Sequence, residues 1–430
     1  MRDKKRYEYQ MNENSPKRIL SLFSGCGGLD LGMEGGFDVI SQSLNKNIHP
    51  EWLTSSEQSS DWIHLPRTVF TTIFANDIRE DAKIAWTNYF SKRGANESIY
   101  HLASIVDMVK AHYEGNYSFP VDIDIVTGGF PCQDFSVAGK RLGFDSDKSH
   151  SGTKRDVELP NEENRGQLYM WMREVISITQ PKMFIAENVK GLVNLADAKE
   201  IIEEDFRSIG GGGYVVVDAK VLNAADYGVP QGRERVIFFG FRKSCLTKKA
   251  LKELTSQNIN PLYDPYPPKT HAYTDNNESL VPHTTVAQAL SGLSEPSESK
   301  DLSQMHYSRA KFMGKHCQGQ TEISLDGVAP TIRSEHHGNI EFRRLALEHG
   351  GKLVHELNRG LSERRLTVRE CARIQTFPDD YEFVIPTKKN RKGVSASSAY
   401  KIIGNAVPPL LAYHLARRIE SNWALYFGDK

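Results

Sequence analysis

The chain of 430 residues has no apolar run approaching the roughly 18 residues that a helix needs to cross a bilayer. Its opening, MRDKKRYEYQMNENSPKR, lacks the apolar middle section of a secretory signal, so a cytoplasmic protein with no membrane partner is expected. Cysteine is scarce and unpatterned. Cys26, Cys132, Cys245, Cys317 and Cys371 form an odd, scattered set, which disfavours a disulfide framework and, with no metal-type spacing, a zinc site. Net charge is missing too, because Lys+Arg and Asp+Glu both number 54. Any surface for a polyanion must therefore be local. Internal repeats, low-complexity tracts, the GxxxxGK(S/T) phosphate loop and a clean GxGxxG pattern are all absent.

What is present begins with 39% hydrophobic and 25% charged residues, enough for a substantial core and, at this length, two domains. Between Lys17 and Arg242 the runs RILSLFSG, FTTIFAND, DIDIVTGG, KMFIAENV, YVVVDAKVLNA and RVIFFGF alternate with helix-like stretches. That alternation predicts a parallel α/β sheet. Several runs end in Gly, Asp or Asn, at the strand ends where open α/β sheets bind ligands. After Arg242 the chain becomes rich in Lys, Ser, Pro, Asn and Thr, so a boundary is read near residue 243. From Ser395 a helical pattern returns around the GNAVPP turn and is expected to pack against the first domain. Residues 1–16 read as a mobile polar segment.

Four segments carry candidate chemistry. Phe23-Ser24-Gly25-Cys26-Gly27-Gly28-Leu29-Asp30 follows the first strand, where glycines admit close approach of a ligand or simply make a turn. Asp77 ends the second strand and suits either a ribose hydroxyl or the cap of the next helix. Gly128-Gly129-Phe130-Pro131-Cys132-Gln133-Asp134-Phe135-Ser136 sets a cysteine on a turn at a strand end, the setting of a nucleophile as well as of a half-buried structural thiol. A zinc deaminase would need a second cysteine where Phe135 stands, so that reading fails. Glu187 ends a buried strand, as a functional or an ion-paired carboxylate. Arg233 and Arg235 alternate on one face of an extended segment and suit phosphate or carbonyl oxygens, or an ordinary surface pair.

In this order the segments resemble the cytosine-5 DNA methyltransferase family. FSGCGGLDLGME is similar to its first cofactor motif, GGFPCQDFSVAGK to its nucleophile motif, ENVKGL to its glutamate motif and QGRERV to its arginine motif. RRLTVRECARIQTFPDDY and GNAVPP resemble the two motifs that close the pattern, and Ala329-Pro330-Thr331-Ile332 resembles the Thr-aliphatic element of a target-recognition domain. The resemblance covers about residues 17–242 and 361–425. It implies a Rossmann-like α/β sheet dependent on S-adenosylmethionine over 17–242, a smaller target-recognition domain over 243–390, and a C-terminal segment, 391–430, that returns to the catalytic domain.

The same resemblance implies residue roles. Cys132 adds as thiolate to carbon 6 of a flipped-out cytosine, Glu187 hydrogen-bonds ring nitrogen 3, Arg235 holds the cytosine carbonyl, and Arg233 is expected on phosphate. No residue is nominated to remove the carbon 5 proton, and ordered water is the expectation. Phe23, Ser24, Gly25, Gly27, Gly28, Asp77, Ile78, Ile105, Leu168, Asn405 and Ala406 are implied around S-adenosylmethionine, which leaves as S-adenosylhomocysteine. Two departures stand out. Ser104-Ile105 takes the place of the Asp-Ile pair that meets adenine in relatives, and Ser41 to Thr72 reads as an insertion whose WIHLP has no assigned role.

Residues 133–167 suit a closing element, in which Gln133, Ser136, Lys140 and Arg141 meet DNA, with further basic residues at Lys148, Lys154 and Arg155. Thr331, Arg333, His336, His337 and Asn339 are expected to read or grip double-stranded DNA, within a stretch that also holds Arg309, Lys311, Lys315, Arg343 and Arg344. The His336-His337 pair has no acidic or cysteine spacing that suggests a metal. A methyltransferase acting on transfer RNA, an inert DNA-binding relative and a nucleotide-dependent oxidoreductase are the rival readings. The sizeable variable region, the presence of Cys132 and Glu187, and the wrong glycine pattern argue against them in turn. A monomeric enzyme protecting host DNA from a partner restriction endonuclease is the implied setting.

Overall fold

The computed structural model describes residues 16–53, 61–130, 168–194, 197–273, 279–314, 316–334, 340–389 and 391–428. Seven strands form the central sheet: β1 (Lys17–Leu22), β2 (Phe70–Asp77), β3 (Tyr100–Leu102), β4 (Ile125–Gly129), β5 (Met183–Val189), β6 (Tyr214–Asn223) and β7 (Glu234–Arg242). Their order is β3-β2-β1-β4-β5-β7-β6. Neighbours run parallel except β7, which is antiparallel to both β5 and β6. The sequence pattern predicts a parallel sheet; the exception arises because β6 and β7 are joined by the short segment 224–233, too short for a crossover that would make them parallel.

Strands buried on both faces need apolar residues at successive positions, and runs such as MFIA in β5 and VIFFGF in β7 supply them. Alternate side chains go to opposite sides. Ile19, Met183, Ile185 and Phe239 join one apolar cluster, whereas Leu20, Leu22, Phe184, Ala186 and Phe238 join another. Helices α1 (Gly28–Glu34) and α2 (Glu80–Phe90) contribute to the first cluster. Helices α3 (Ile105–Tyr113), α4 (Leu168–Thr179) and α5 (Ala198–Gly212) contribute to the second.

Three further helices follow the variable region: α6 (Val368–Ile374), α7 (Ala396–Asn405) and α8 (Pro409–Phe427). Thr367 and Glu370 start α6 with a reciprocal capping box. Helix α8 packs on α1 and shares its apolar cluster, and the turn before it lies so close that a Cβ at Gly28 would sit 2.2 Å from the Val407 carbonyl oxygen. No helix among the described residues is long and apolar enough to cross a membrane.

The insertion between β1 and β2 acquires a structural role. Trp62–His64 pairs antiparallel with Asp38–Ile40, and Trp52 is buried in a stack on His49, with Tyr413 and His414 of α8 each 4.9 Å from its ring. It buttresses the last helix.

Register decides where chemistry can collect. Leu22 pairs with Asn76 and with Gly128, and Gly129 pairs with Glu187. The carboxyl ends of β1, β2, β4 and β5 are thus level, and the strand order reverses between β1 and β4, where open sheets bind ligands.

Candidate active site

The loop after β1 turns sharply because Phe23 and Gly25 both take φ near +53°. This brings the Ser24 N–H to the Asn76 carbonyl at 2.8 Å and the Gly25 N–H to Asp77 Oδ2 at 2.9 Å. Asp77 Oδ1 accepts from the Arg79 N–H at 2.9 Å. The carboxylate therefore ties the glycine turn to the start of α2, and burial raises its pKa above the ordinary carboxylate value. A side chain added at Gly25 would meet nothing within 4 Å, so the turn keeps an open main-chain face. Ile78, next to Asp77, is 73% exposed. An open backbone face beside a carboxylate and an exposed aliphatic side chain fits a ligand that is part ribose, part aromatic base and part amino acid.

Beneath the turn, buried Asp30 accepts from Ser21 Oγ at 2.5 Å and from Trp86 Nε1 at 2.8 Å, and burial pushes its carboxyl up to about 7. Tyr100 and Tyr381 donate their hydroxyls to the carbonyls of Gly25 and Cys26. Leu168 begins α4 half-buried, and Ile105 is spent on packing in the second apolar cluster. Asn405 is exposed at the end of α7, with Ala406 half-buried after it.

A second cluster forms where β5 meets β7. Glu187 pairs across with Ile237, so Arg235, two positions away, projects on the same face and sets its Nε 2.8 Å from Glu187 Oε1. Burial pushes the Glu187 carboxyl above its ordinary value against the opposing pull of Arg235 and Arg233. Asn188 Nδ2 donates to the Phe130 carbonyl at 3.0 Å, which fixes the chain just before Pro131-Cys132. Cys132 itself lies outside the described residues, as do Gln133, Ser136, Lys140, Arg141, His336, His337 and Asn339.

Comparison with known proteins settles what kind of chain carries these clusters. The profile of the C-5 cytosine-specific DNA methylase family matches residues 17–421. The chain is 33% identical to the type II methyltransferase M.BspRI of Lysinibacillus sphaericus over 96% of its own length and 83% of that protein. It is 30% identical to the type II methyltransferase M.NgoPII of Neisseria gonorrhoeae, covering 94% of this chain and 96% of the relative. The chain belongs to the C-5 cytosine-specific DNA methylase family. It is accordingly a DNA (cytosine-5)-methyltransferase that uses S-adenosylmethionine. Among solved structures, the Dnmt2 methyltransferase of S. pombe superposes with a TM-score of 0.54 at 16% identity, covering 94% of this chain and 99% of that one. That likeness speaks to the fold alone.

Within this methylase, Arg233 and Arg235 part company. Arg233 is 1% exposed, and its guanidinium donates to the carbonyls of Ile332 at 3.0 Å and Gly404 at 2.7 Å. The expectation that it meets phosphate is therefore corrected: a side chain enclosed and held by two main-chain oxygens has no face left for DNA. Thr331 is likewise engaged, its hydroxyl donating to the Gly232 carbonyl at 2.7 Å, while Arg333 is exposed.

The variable region corrects a second expectation. Arg344 is 1% exposed and bonds to Glu356 and Glu295; Arg343 meets Glu356 at 2.8 Å. Arg364 joins Glu295 to Glu370, both at 2.9 Å. Arg365 is buried among the carbonyls of Ala310, Gly319 and Ile340, and Arg369 meets Asp301 at 2.6 Å. These arginines hold together a region with little regular secondary structure among its described residues, and Arg343 and Arg344 are not free to grip DNA. Arg309 differs, lying exposed with its guanidinium 4.0 Å over the Tyr307 ring.

Sequence spacing missed Asp30, Trp86, Gln231 and Gln375. Trp86 lies 56 residues from Asp30 and Gln375 lies 144 from Gln231, so spacing along the chain does not link them.

Proposed function

We propose that the protein is the modification enzyme of a type II restriction-modification system, methylating one cytosine in a short duplex motif and so protecting host DNA from a partner endonuclease. The names of its relatives, both type II methyltransferases, support that setting. The protein acts in the cytoplasm as a monomer, and the endonuclease is a functional partner rather than a bound subunit. Residues 17–242 are the catalytic domain, 243–390 the target-recognition domain and 391–430 the returning segment.

The observation that carries the mechanism is the buried Glu187–Arg235 pair at the sheet edge, one strand away from the chain that leads into Cys132. When bound, S-adenosylmethionine supplies an electrophilic methyl group. Carbon 5 of cytosine is too weak a nucleophile to take it unaided, so the ring must first be activated. The Cys132 thiolate adds to carbon 6, and electron density moves to carbon 5 and onto nitrogen 3 and the carbonyl. Glu187, whose carboxyl burial raises above its ordinary value, donates to nitrogen 3 in its protonated form, and Arg235 steadies the carbonyl oxygen. After methylation, water removes the carbon 5 proton and the thiolate leaves carbon 6, restoring the double bond. Phe23, Ser24, Gly25, Gly27, Gly28, Asp77, Ile78, Leu168, Asn405 and Ala406 hold the cofactor, with Ile105 supporting its pocket through packing.

The cytosine must leave the stacked duplex to meet these groups. Gln133, Ser136, Lys140 and Arg141 close over it, and Thr331, Arg333, His336, His337 and Asn339 belong to the DNA-facing part of the recognition domain, Thr331 placing its neighbours rather than touching bases. Base-resolution mapping of 5-methylcytosine on mixed-sequence DNA, with Cys132→Ala alongside, tests this reading. Methylation confined to one motif and absent in the variant is the expected outcome; no methylation by the intact protein overturns it.

A further inference from the structure

A line of buried amides joins the variable region to the turn beside the cofactor loop, and the chemistry above makes no use of it. Gln231 and Gln375 are both fully enclosed, an uncommon fate for neutral amides unless their hydrogen bonds matter. Gln231 Nε2 donates to Gln375 Oε1, and Gln231 Oε1 accepts from the Ile332 N–H at 3.1 Å. Gln375 Nε2 donates to the carbonyls of Ile403 at 3.0 Å and Ala406 at 2.8 Å. Arg233 runs alongside, from the Ile332 carbonyl to the Gly404 carbonyl.

Three side chains thus hold both polar groups of Ile332 and three of the carbonyls that bracket Asn405. Each end abuts a ligand site. Ile332 is followed by exposed Arg333, while the turn after Asn405 presses on Gly28 of the cofactor loop. Moving Ile332 relative to the 403–406 turn would leave enclosed donors and acceptors unmet, so the contact favours discrete placements over graded ones.

We propose that Gln375, with Gln231 and Arg233, is a positioning clasp through which DNA on the recognition domain and cofactor on the glycine turn each stabilise the placement the other needs. The inference rests on reading Arg333, next to Ile332, as DNA-facing and Asn405 as a cofactor contact. Such coupling is reciprocal: whatever factor DNA adds to cofactor affinity, cofactor adds to DNA affinity.

The test titrates S-adenosylhomocysteine into the full-length protein with and without saturating duplex that carries the methylated motif. In the intact protein the duplex tightens cofactor-product binding by about 5-fold or more, the lower end of typical couplings. In Gln375→Met, which keeps the volume and removes the amide, that factor falls to within about 2-fold of unity, and the matching gain in duplex affinity falls equally. A merely structural amide would lower thermal stability and leave the coupling factor intact. Full coupling in a folded Gln375→Met, or none in the intact protein, overturns the clasp. If Gln375→Met does not fold, Gln231→Met, which cuts the link to Ile332 but spares the bonds from Gln375 to the 403–406 turn, is read the same two ways. Methylation by the intact protein in the same preparation checks the underlying reading separately, so an active enzyme whose coupling ignores the variant sinks the clasp alone.

Discussion

At the sheet edge, Arg235 pairs with Glu187 in a place where burial raises the carboxyl above its ordinary value. In the variable region, Arg343, Arg344 and Arg364 interlock with Glu295, Glu356 and Glu370, and the arginines hold Glu295 down to about 2. The residue types are the same, yet the first arrangement sets one carboxyl, raised by burial, beside a single close guanidinium, and the second shares its carboxylates among several guanidiniums. Positive charge written in the sequence is therefore not positive charge offered to DNA. The variable region spends these guanidiniums on its own architecture, as a segment whose described residues form few helices and strands must, because few ladder bonds hold them.

The comparison is broken most directly at Glu187. Replacing it with Ala is expected to slow methyl transfer about 10²–10³-fold in single-turnover assays, the usual size of losing one preorganised donor. The direction of its pH dependence follows from the raised carboxyl. Protonated Glu187 persists above the ordinary carboxylate range, and activity from it declines as pH rises through the raised value. That declining limb should be missing from Glu187→Gln, which cannot ionise. A limb of the same shape in the Gln variant would assign the titration to another group.

Next in size is the interlocked side of the comparison. Arg344→Met takes one of two arginines from each of Glu356 and Glu295, which keep Arg343 and Arg364, and should cost about 1.5–3 kcal/mol in urea unfolding, without changing the salt dependence of duplex binding by the folded fraction. A variant of normal stability whose binding loses salt dependence would mean that Arg344 reaches phosphate after all. The acid limb has its own sign. Glu295 is lowered from 4.5 to about 2, so its contribution is complete above the unfolded value and is lost as pH falls through that window. The stability gap between the intact protein and Glu295→Gln should accordingly be widest near neutral pH and close on acidification.

Much of the sheet was legible because its signals are local. Runs such as KMFIAENV carry their own burial pattern, and the polar residues that end them, Asp77 and Glu187, project from strand ends whose level register follows from the fold. The antiparallel β7 was less legible, since direction depends on the length of a connection rather than on the strand. The variable region is less legible still. Arg333 and Arg344 look alike in sequence, and only the distant partners Glu295 and Glu356 mark Arg344 as enclosed where Arg333 is exposed. Gln375 lay in plain view within RIQTFP, but its meaning depends on Gln231, Ile403 and Ala406.

Arg333 sharpens the comparison with a smaller effect. Exposed beside the clasp, it is expected to behave as the interlocked arginines do not: Arg333→Ala should leave the unfolding midpoint unchanged while weakening duplex binding and reducing its salt slope by about 1. Unchanged slope with lost stability would place it with Arg344.

The opposite sign of pH dependence belongs to the cofactor side, at Asp30. Its carboxyl is raised from 3.8 to about 7 by burial beneath the glycine turn, even with Ser21 and Trp86 donating to it. A carboxyl raised on folding favours the folded state while it is protonated, so its contribution is full below about 3.8 and is lost as pH rises through about 7. Asp30→Asn keeps an acceptor for Trp86 and cannot ionise. Its melting temperature relative to the intact protein should therefore rise between pH 4 and pH 7 and level off above, a course opposite in sign to that of Glu295→Gln. A flat difference across that interval would mean that Asp30 is already ionised when folded, with its two donors outweighing burial, and that both sides of the molecule handle their carboxylates alike.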